Sequence, residues 1–544
     1  MGAVKQVFRD IKTYWEKPKE GNYISFKEMK NYIIGCMGVS GVNNALSYIG
    51  WAVTCPLIGH IYGLKFEDLY YITLINLPFS YIFQPIWMVI QDNIGNVPKK
   101  TMRGIHAVLI PLIILGTALF FVPQELFDWL MPAFPQLVGT IMVQNAVSAY
   151  IRKFIFQKFG KKYGKFRSWI IAGILPAMVI LFLIVWLPFK DMPYHTRLWL
   201  LHFCFANFYI FTQFKDQQDN IRNVITPNNQ ERTILTSVKE VLAAAGGGIV
   251  LLAIPIVAQL TGGLLELNTY RYIVPIAVLL FAPLVLFQAF GVKDRVILEE
   301  KHETNVNMFN GFKEVIRNKY LWIMNISNIL GAISWGSVAL LNVFFIYSLR
   351  QDWLLGVVVA ITGIPGGLIA SFMLPWLVKR FGKRNTVLFS RLLYYSWFFL
   401  AYLAIQTDNA AMMMIGFVLN GIFGTTTGMM QGIMTPDIWD YQQYISGKRL
   451  EGCTGIFGLL VNPVTLVLSM TVPAVYSAVG FTNDWDILFI PHLRQEVFMW
   501  TLILLFIGHT GGSLPFLFYD LSEKKHAEII EVLKRRKEEL DAIV

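Results

Sequence analysis

The stretch VKDRVILEEKHETNVNMFNGFKEVIRN, residues 292–318, is the longest polar run inside a chain that is otherwise built of apolar segments. A helix that spans a bilayer needs about 20 largely apolar residues. Eight segments of this kind precede the polar run and six follow it. The polar run therefore predicts a linker between two helical bundles. The predicted fold class is an all-α, polytopic membrane protein with about fourteen transmembrane helices.

The composition of the chain agrees with this fold class and excludes others. Of the 544 residues, 55% are hydrophobic and only 15% are charged, whereas soluble globular chains contain about 25% charged residues. An ordinary cytosolic, disordered or fibrous protein is thereby excluded. The four cysteines lie far apart in apolar segments without a CxxC pair, which supports neither a disulfide framework nor a metal site. We expect no cofactor.

The basic residues lie mainly in the short stretches between apolar segments, although the net charge of +11 would by itself suggest a nucleic-acid partner. Cytoplasmic loops retain lysine and arginine. With the N-terminus inside, 37 of the 46 basic residues fall on cytoplasmic tails and loops, and six fall outside, namely Lys65, Lys190, Arg197, Arg271, Arg350 and Arg494. This asymmetry predicts cytoplasmic termini, a multi-pass protein of the cell membrane, and no nucleic-acid partner.

The same boundaries divide the chain into five regions. We expect a cytoplasmic N-terminal segment (1–30), an N-terminal bundle (31–291), the linker (292–318), a C-terminal bundle (319–519) and a cytoplasmic amphipathic tail (520–544). We expect the protein to be a monomer.

Two loops repeat a pattern in the two predicted bundles. KFGKKYGKFR (158–167) and KRFGKRN (379–385) each place a glycine among lysines and arginines after a predicted helix. Short cytoplasmic loops are often basic, so the repeat is weak. It nevertheless favours two related halves, which is how many secondary transporters are built.

Three stretches resemble a known family: YGKFRSW (163–169), ITPNNQERTILTSVKEVLAAAGGG (225–248) and MTPDIWDYQQYISGKRLEG (434–452). YIIGCMGVSGVNNA (32–45) is a looser match. The family is that of the glycoside, pentoside and hexuronide cation symporters, a branch of the major facilitator superfamily typified by melibiose permease. The resemblance implies two pseudo-symmetric six-helix bundles. The family usually has twelve helices, so this chain is expected to carry an extra hairpin at about 101–158 or, in an alternative register, at 31–92.

In that family the second helix supplies two acidic residues and an asparagine that ligate the coupling cation. The positions that correspond are Ser80, Phe83 and Gln84 in the first register, and Ser148, Ile151 and Arg152 in the alternative one. Neither set contains a carboxylate. The resemblance therefore implies that the family's sodium site has been lost in this chain.

Charged residues cluster instead in YIFTQFKDQQDN, residues 209–220. Lys215 and Asp219 are four residues apart and can pair on a helix, with Asp216 beside them. Two interpretations stay open, a salt-bridged helix end at the cytoplasmic surface and a substrate site or gate. Thr212 and Gln213 are candidate substrate-binding residues in the same stretch. Further charges at predicted cytoplasmic helix ends resemble the gate charges of the superfamily: Glu240, Asp437, Asp440 and Arg449.

Neutral polar and aromatic residues recur in the first predicted helix of each bundle. Helix 31–60 carries Asn43, Asn44, Tyr48 and Trp51, and helix 319–349 carries Trp335 and Asn342 seven residues apart. Gln84 is a weaker candidate. Helix packing explains any single buried amide, but the same residue types on two related helices favour a binding site for a sugar-like ligand.

The sequence thus predicts a transporter, not an enzyme, because no nucleophile, base and orienting residue lie together. The predicted function is secondary-active or facilitative transport of a glycoside, sugar or similar hydroxylated solute by rocker-switch alternating access. Transport of a lipid or amphiphile on the same fold is one alternative, and a non-transporting receptor or scaffold is another. The expected partners are the small-molecule solute and the membrane lipids.

Overall fold

The computed structural model describes residues 10–47, 49–50, 58–92, 96–212, 221–222, 225–226, 229–293, 313–334, 337–351, 353–447, 451–481 and 485–543. All regular secondary structure in these ranges is helical. The chain forms two compact units, Met1–Glu300 and Lys301–Val544. The division between them falls within the polar stretch 292–318.

The described part of unit 1 is mainly helical. Its helices are α1 (Phe26–Asn44), α2 (Ile58–Tyr62), α3 (Phe66–Asp92), α4 (Lys99–Leu119), α5 (Phe134–Ile155), α6 (Lys161–Trp186), α7 (Tyr194–Phe211), α8 (Asn229–Thr261) and α9 (Leu267–Gly291). A π-helical turn, Phe156–Gly160, joins α5 to α6. An apolar cluster that includes Phe83, Leu109, Ala149, Trp169 and Ile210 joins α3 to α7.

Unit 2 is built in the same way. Its helices are α10 (Lys319–Gly331), α11 (Ser337–Asn342), α12 (Phe344–Tyr347), α13 (Trp353–Leu393), α14 (Tyr395–Thr407), α15 (Ala410–Ser446), α16 (Glu451–Ser469), α17 (Thr471–Ala478), α18 (Pro491–Ser513) and α19 (Glu523–Ile543). Its apolar cluster includes Tyr320, Val387, Met434 and Phe516, and reaches Ile529 on the last helix.

Eight helical segments within the described ranges are long and apolar enough to cross a bilayer. They are Lys99–Leu119, Phe166–Trp186, Val241–Thr261, Leu267–Gly291, Trp376–Thr407, Ala410–Ser446, Leu460–Ala478 and Pro491–Phe518. Several such spans establish a multi-pass membrane protein. The count of fourteen helices and the cytoplasmic placement of both termini stay predictions.

The same glycine turn occurs once in each unit. Gly164 within α6 has φ 78° and ψ 173°, and Gly382 within α13 has φ 76° and ψ 168°. Only glycine adopts such angles without strain. Four residues later, the hydroxyls of Ser168 and Thr386 donate to the carbonyls of these glycines at 2.6 and 2.7 Å. The two loops that the sequence matched therefore share one backbone conformation.

An arginine after each glycine turn binds the backbone that directly follows a long helix of the same unit. Arg167 donates to the carbonyl of Val292, directly after α9. Arg384 donates to the carbonyl of Leu517, in the short 3₁₀ turn after α18. The turn thereby ties the start of one helix to the end of another within each unit.

The start of α1 is held by a buried carboxylate from α8. Ser25 and Glu28 form a capping box at the helix start. Glu231, which is 3% exposed, accepts hydrogen bonds from the backbone N–H groups of Tyr23 and Ile24 at 3.1 Å and from the hydroxyl of Thr226. The ITPNNQERT segment thus anchors the chain in front of the first helix.

Replacing Glu231 with alanine is expected to lower the free energy of unfolding by about 2–4 kcal/mol, because buried N–H groups lose a charged acceptor. Thermal unfolding in detergent measures the loss. Glu266→Ala, which removes an exposed carboxylate of the same unit, is the control and should change stability by less than about 0.5 kcal/mol. Equal stability of the two variants would contradict the anchoring role.

Candidate functional site

The predicted first helix of unit 1 does not continue past Asn44 in the described residues, since residues 45–47 and 49–50 are not helical. The sequence predicts one helix over 31–60, whereas α1 ends at Asn44 and α2 begins at Ile58. Beyond α1 the backbone tightens, because the N–H groups of Ala45, Leu46 and Ser47 bond to carbonyls three residues earlier at 3.2–3.3 Å. The residues proposed from sequence to bind solute therefore lie at and after a helix end.

The first helix of unit 2 is interrupted as well. The sequence predicts one helix over 319–349, whereas α10 ends at Gly331, continues as a 3₁₀ turn over Ala332–Ser334, and is followed by the short helices α11 and α12. Discontinuous helices in corresponding positions of two repeats are the best structural pointer to a transporter's binding site. The two interruptions therefore define the candidate site elements, one in each unit.

Asn43 is the polar residue at the interruption of α1 whose side chain is unsatisfied. Its Nδ2 atom is buried and has no hydrogen-bond partner within the described part of the chain. A buried donor without a partner costs about 1–3 kcal/mol. Such a cost is recovered if a solute supplies the acceptor, which makes Asn43 the strongest candidate for direct binding.

Asn44 has a different environment from its neighbour. Its Nδ2 donates to the carbonyl of Ser40 at 2.9 Å, and its Oδ1 accepts from the hydroxyl of Ser47 at 3.0 Å. The side chain also packs against Gly247 of α8, where an added Cβ would lie 2.4 Å from Nδ2. These contacts give Asn44 a structural function at the end of α1.

The other candidates from the sequence divide into three groups. Gln84 is half-buried on α3, and the buried Thr212 donates to the carbonyl of Phe208 one turn earlier at 2.9 Å. Asn342 ends α11 and Glu240 lies within α8, but their side chains are outside the described part. The remaining candidates lie outside the described residues: Tyr48, Trp51, Gln213, Lys215, Asp216, Asp219, Trp335 and Arg449.

The predicted gate charges of α15 belong to a cluster in unit 2. Asp437 is buried and accepts from the ammonium group of Lys383, directly after the glycine turn. Asp440 accepts from His526 Nε2 of α19 at 3.0 Å, and the same nitrogen lies 3.7 Å from Asp437. The sequence analysis did not predict Lys383 and His526 as partners of these aspartates. Lys383 lies in the basic loop 379–385, and His526 lies in the tail.

Two arginines are buried within helices, and neither was predicted from the sequence to bind solute. Arg152 of α5 is 3% exposed, and its guanidinium lies 4.6 Å from the ring centre of Trp87 and 4.7 Å from that of Trp169. Arg391 of α13 donates to the hydroxyls of Ser513 and Ser327 at 3.1 and 3.4 Å. Aromatic faces and hydroxyls stabilise a guanidinium that is removed from water.

Comparisons with known proteins identify the group to which this architecture belongs. Residues 134–523 match the family model described as MFS/sugar transport protein. The chain is 23% identical to the uncharacterized symporter YnaJ of Bacillus subtilis, over 78% of this chain and 91% of that protein.

Two further relatives have more specific names. The isoprimeverose transporter of Lactiplantibacillus pentosus is 25% identical over 43% of this chain and 49% of that protein. The glucuronide carrier protein homolog of Escherichia coli is 22% identical over 69% of this chain and 81% of that protein. Because the matched family model covers more than half of the residues, the resemblance found in the sequence is confirmed, and the chain belongs to the MFS/sugar transport protein family of multi-pass membrane transporters.

Proposed function

We propose that this transporter carries a glycoside or a similar hydroxylated sugar by rocker-switch alternating access, and that Asn43 binds it directly. The observation that carries the proposal is the buried, unpartnered amide of Asn43 at the interruption of α1. Sugars offer hydroxyl oxygens that accept from such an amide. The names of the relatives, isoprimeverose transporter and glucuronide carrier protein homolog, support this class of solute.

Sugar uptake into proteoliposomes tests the proposal. Radiolabelled isoprimeverose and methyl glucuronide are suitable first probes, because both represent the sugar classes named for relatives. Saturable uptake of one of them, above that of protein-free liposomes, is the expected result. Uptake of a labelled lysolipid without uptake of any sugar would favour the amphiphile alternative, and no flux at all would favour the receptor.

The position of the glycine turn indicates which helix of this chain corresponds to the family's second helix. α5 leads into the turn at Gly164 as the first part of α13 leads into the turn at Gly382. The family match also begins at residue 134, where α5 begins. We therefore infer that α5 corresponds to the family's second helix, as in the alternative register of the sequence.

This correspondence places a fixed positive charge at the position of the family's cation site. In that register the cation-ligating positions are those of Ser148, Ile151 and Arg152, and the Arg152 guanidinium is buried between Trp87 and Trp169. A sodium ion would be repelled by this charge in a medium of low dielectric constant. We infer that transport does not require sodium.

Replacing sodium with choline on both sides of the liposome membrane is expected to change sugar uptake by less than about twofold, because no sodium binding energy then contributes to transport. Initial rates of isoprimeverose and methyl glucuronide uptake in the two media provide the measurement. Protein-free liposomes control for leakage. A stimulation of tenfold or more by an inward sodium gradient would show that a cation site exists and that the inference is wrong.

A further inference from the structure

The last helix, α19, packs along unit 2. Ile529 is 5% exposed and belongs to the same apolar cluster as Tyr320 of α10 and Ile438 of α15, and Leu533 packs against that cluster one turn later. Further along, Arg536 donates to the carbonyl of Tyr444 at 2.8 Å. Within its described side chains, the apolar face of the predicted amphipathic tail therefore packs on the unit's own helices at Ile529 and Leu533.

The start of α19 is held by ion pairs and a hydrogen bond. Lys525 donates to Asp520 and to the hydroxyl of Tyr320, each at 3.0 Å, and Lys319 lies 2.7 Å from Asp520. Partial burial alone would raise the pKa of the Asp520 carboxyl, but the hydrogen bonds from Lys319 and Lys525 outweigh it and hold the pKa well below its usual value. Asp520 thus stays ionised at neutral pH and keeps the helix start attached.

Glu523, the first residue of α19, binds the glycine turn of α13. Its Oε1 accepts from the backbone N–H of Lys383 at 2.6 Å. A Cβ added at Gly382 would lie 3.1 Å from Glu523 Oε2, so the carboxylate fills the space beside the turn. The carboxylate of α19 thereby orients the residue whose ammonium group pairs with Asp437.

His526, one turn after Glu523, binds the other side of the same pair. It donates from Nε2 to Asp440 and lies 3.7 Å from Asp437. The imidazole thus lies within reach of two carboxylates of α15, those of Asp437 and Asp440. One helix therefore contacts both members of the Lys383–Asp437 pair, directly or through the backbone.

We propose that α19 is a positioning element of the cytoplasmic gate, in which Glu523 and His526 hold Lys383 and Asp437 in the geometry that transport requires. This proposal rests on the proposed function, because a gate is needed only by a transporter. Neither residue contacts solute. Their loss should therefore lower the maximal rate of transport and leave the apparent affinity for the sugar unchanged.

The full-length variant Glu523→Gln tests the proposal against the matched variant Glu531→Gln. Both variants replace a glutamate of α19 with glutamine. Glu531, however, is exposed and forms an ion pair with the exposed Arg535 at 2.9 Å. Amide exchange in the peptide 379–386 is measured by mass spectrometry without any sugar. Glu523→Gln should speed exchange at Lys383 about tenfold, as expected for the loss of a charged acceptor, and Glu531→Gln should not.

Uptake of isoprimeverose or methyl glucuronide gives the second measurement. Glu523→Gln and His526→Ala should each lower the maximal rate by about fivefold or more at unchanged KM. His526→Gln, which keeps a side-chain N–H for Asp440, should recover most of the rate. If α19 had only a structural function, the maximal rate would not differ between His526→Gln and His526→Ala.

The outcomes separate the two proposals. Unchanged amide exchange in Glu523→Gln would overturn the positioning function whatever the uptake shows. Faster exchange with an unchanged maximal rate would confine α19 to holding the loop and overturn its part in transport. If the wild-type protein transports neither sugar, the proposed function fails, and the exchange measurement alone decides whether α19 positions Lys383.

Discussion

Replacing Asn43 with alanine is expected to reduce sugar uptake about 10- to 100-fold while leaving the stability of the protein unchanged or slightly higher. The amide Nδ2 has no partner within the described part of the chain, so its removal costs no internal hydrogen bond and relieves a buried, unsatisfied donor. When sugar is bound, the variant lacks the amide that donates to a sugar hydroxyl. Uptake falls because this hydrogen bond is lost. Uptake into proteoliposomes and thermal unfolding in detergent are measured on the same preparation.

The matched control for this prediction is Asn207→Ala. Asn207 lies on α7, is half-buried, and donates to the carbonyl of Phe203 of its own helix at 2.9 Å. Its loss should change neither uptake nor stability appreciably. If Asn43→Ala kept full uptake, Asn43 would not bind the sugar. If Asn43→Ala lost stability and uptake together, its function would be structural.

Replacing Gly38 with valine is expected to destabilise unit 1 by about 3 kcal/mol or more. A Cβ at this position would lie 2.7 Å from the carbonyl oxygen of Phe281 and 2.7 Å from the backbone nitrogen of Val285, both on α9. Backbone atoms of a packed helix cannot move aside as a side chain can, so α1 and α9 would have to separate. Thermal unfolding and the yield of monodisperse protein report the loss.

Gly104→Val is the control for the glycine prediction. Gly104 lies on α4, and no described atom lies within 4 Å of a Cβ built there. The same residue change then alters only helix propensity, in which valine is favoured over glycine by a few tenths of a kcal/mol, so stability should not fall. Equal stability of Gly38→Val and Gly104→Val would mean that the close packing of α1 on α9 does not limit the stability of unit 1.

The helical class of the fold could be predicted from the sequence, but the interruptions of the first helices could not. Apolar residues continue without a gap from Ile49 to Tyr62 apart from single polar positions, so the pattern that predicts a spanning helix gives no sign that α1 ends at Asn44. At this end Asn44 packs against Gly247 of α8, more than 200 residues away in sequence. Spacing along one chain does not reveal contacts of this kind.

The hydrogen bonds of the candidate site residues could not be predicted for the same reason. Residue spacing grouped Asn44 with Tyr48 and Trp51 on one face, yet the described hydrogen bonds satisfy Asn44 within α1 and leave the amide of Asn43 unsatisfied. The two adjacent asparagines differ because the side-chain amide of Asn44 has hydrogen-bond partners and the Nδ2 atom of Asn43 has none among the described residues. Their roles in binding stay proposals until the variants are measured.

In the charged cluster of unit 2, the sequence indicated the aspartates but not the distant residues that bind them. Asp437 and Asp440 were expected to be gate charges because they resemble those of the superfamily. Their partners Lys383 and His526 are 54 and 86 residues away in sequence from the aspartates that they bind. A single sequence without contacts cannot pair residues over such separations.

Uptake of radiolabelled isoprimeverose and methyl glucuronide by proteoliposomes containing the wild-type protein or Asn43→Ala tests the central claim most directly. Saturable wild-type uptake of one sugar that is equal in sodium and choline media and falls at least about tenfold in the well-folded variant is the predicted result. Wild-type liposomes that take up neither sugar faster than protein-free liposomes, or a well-folded variant with full uptake, would contradict it.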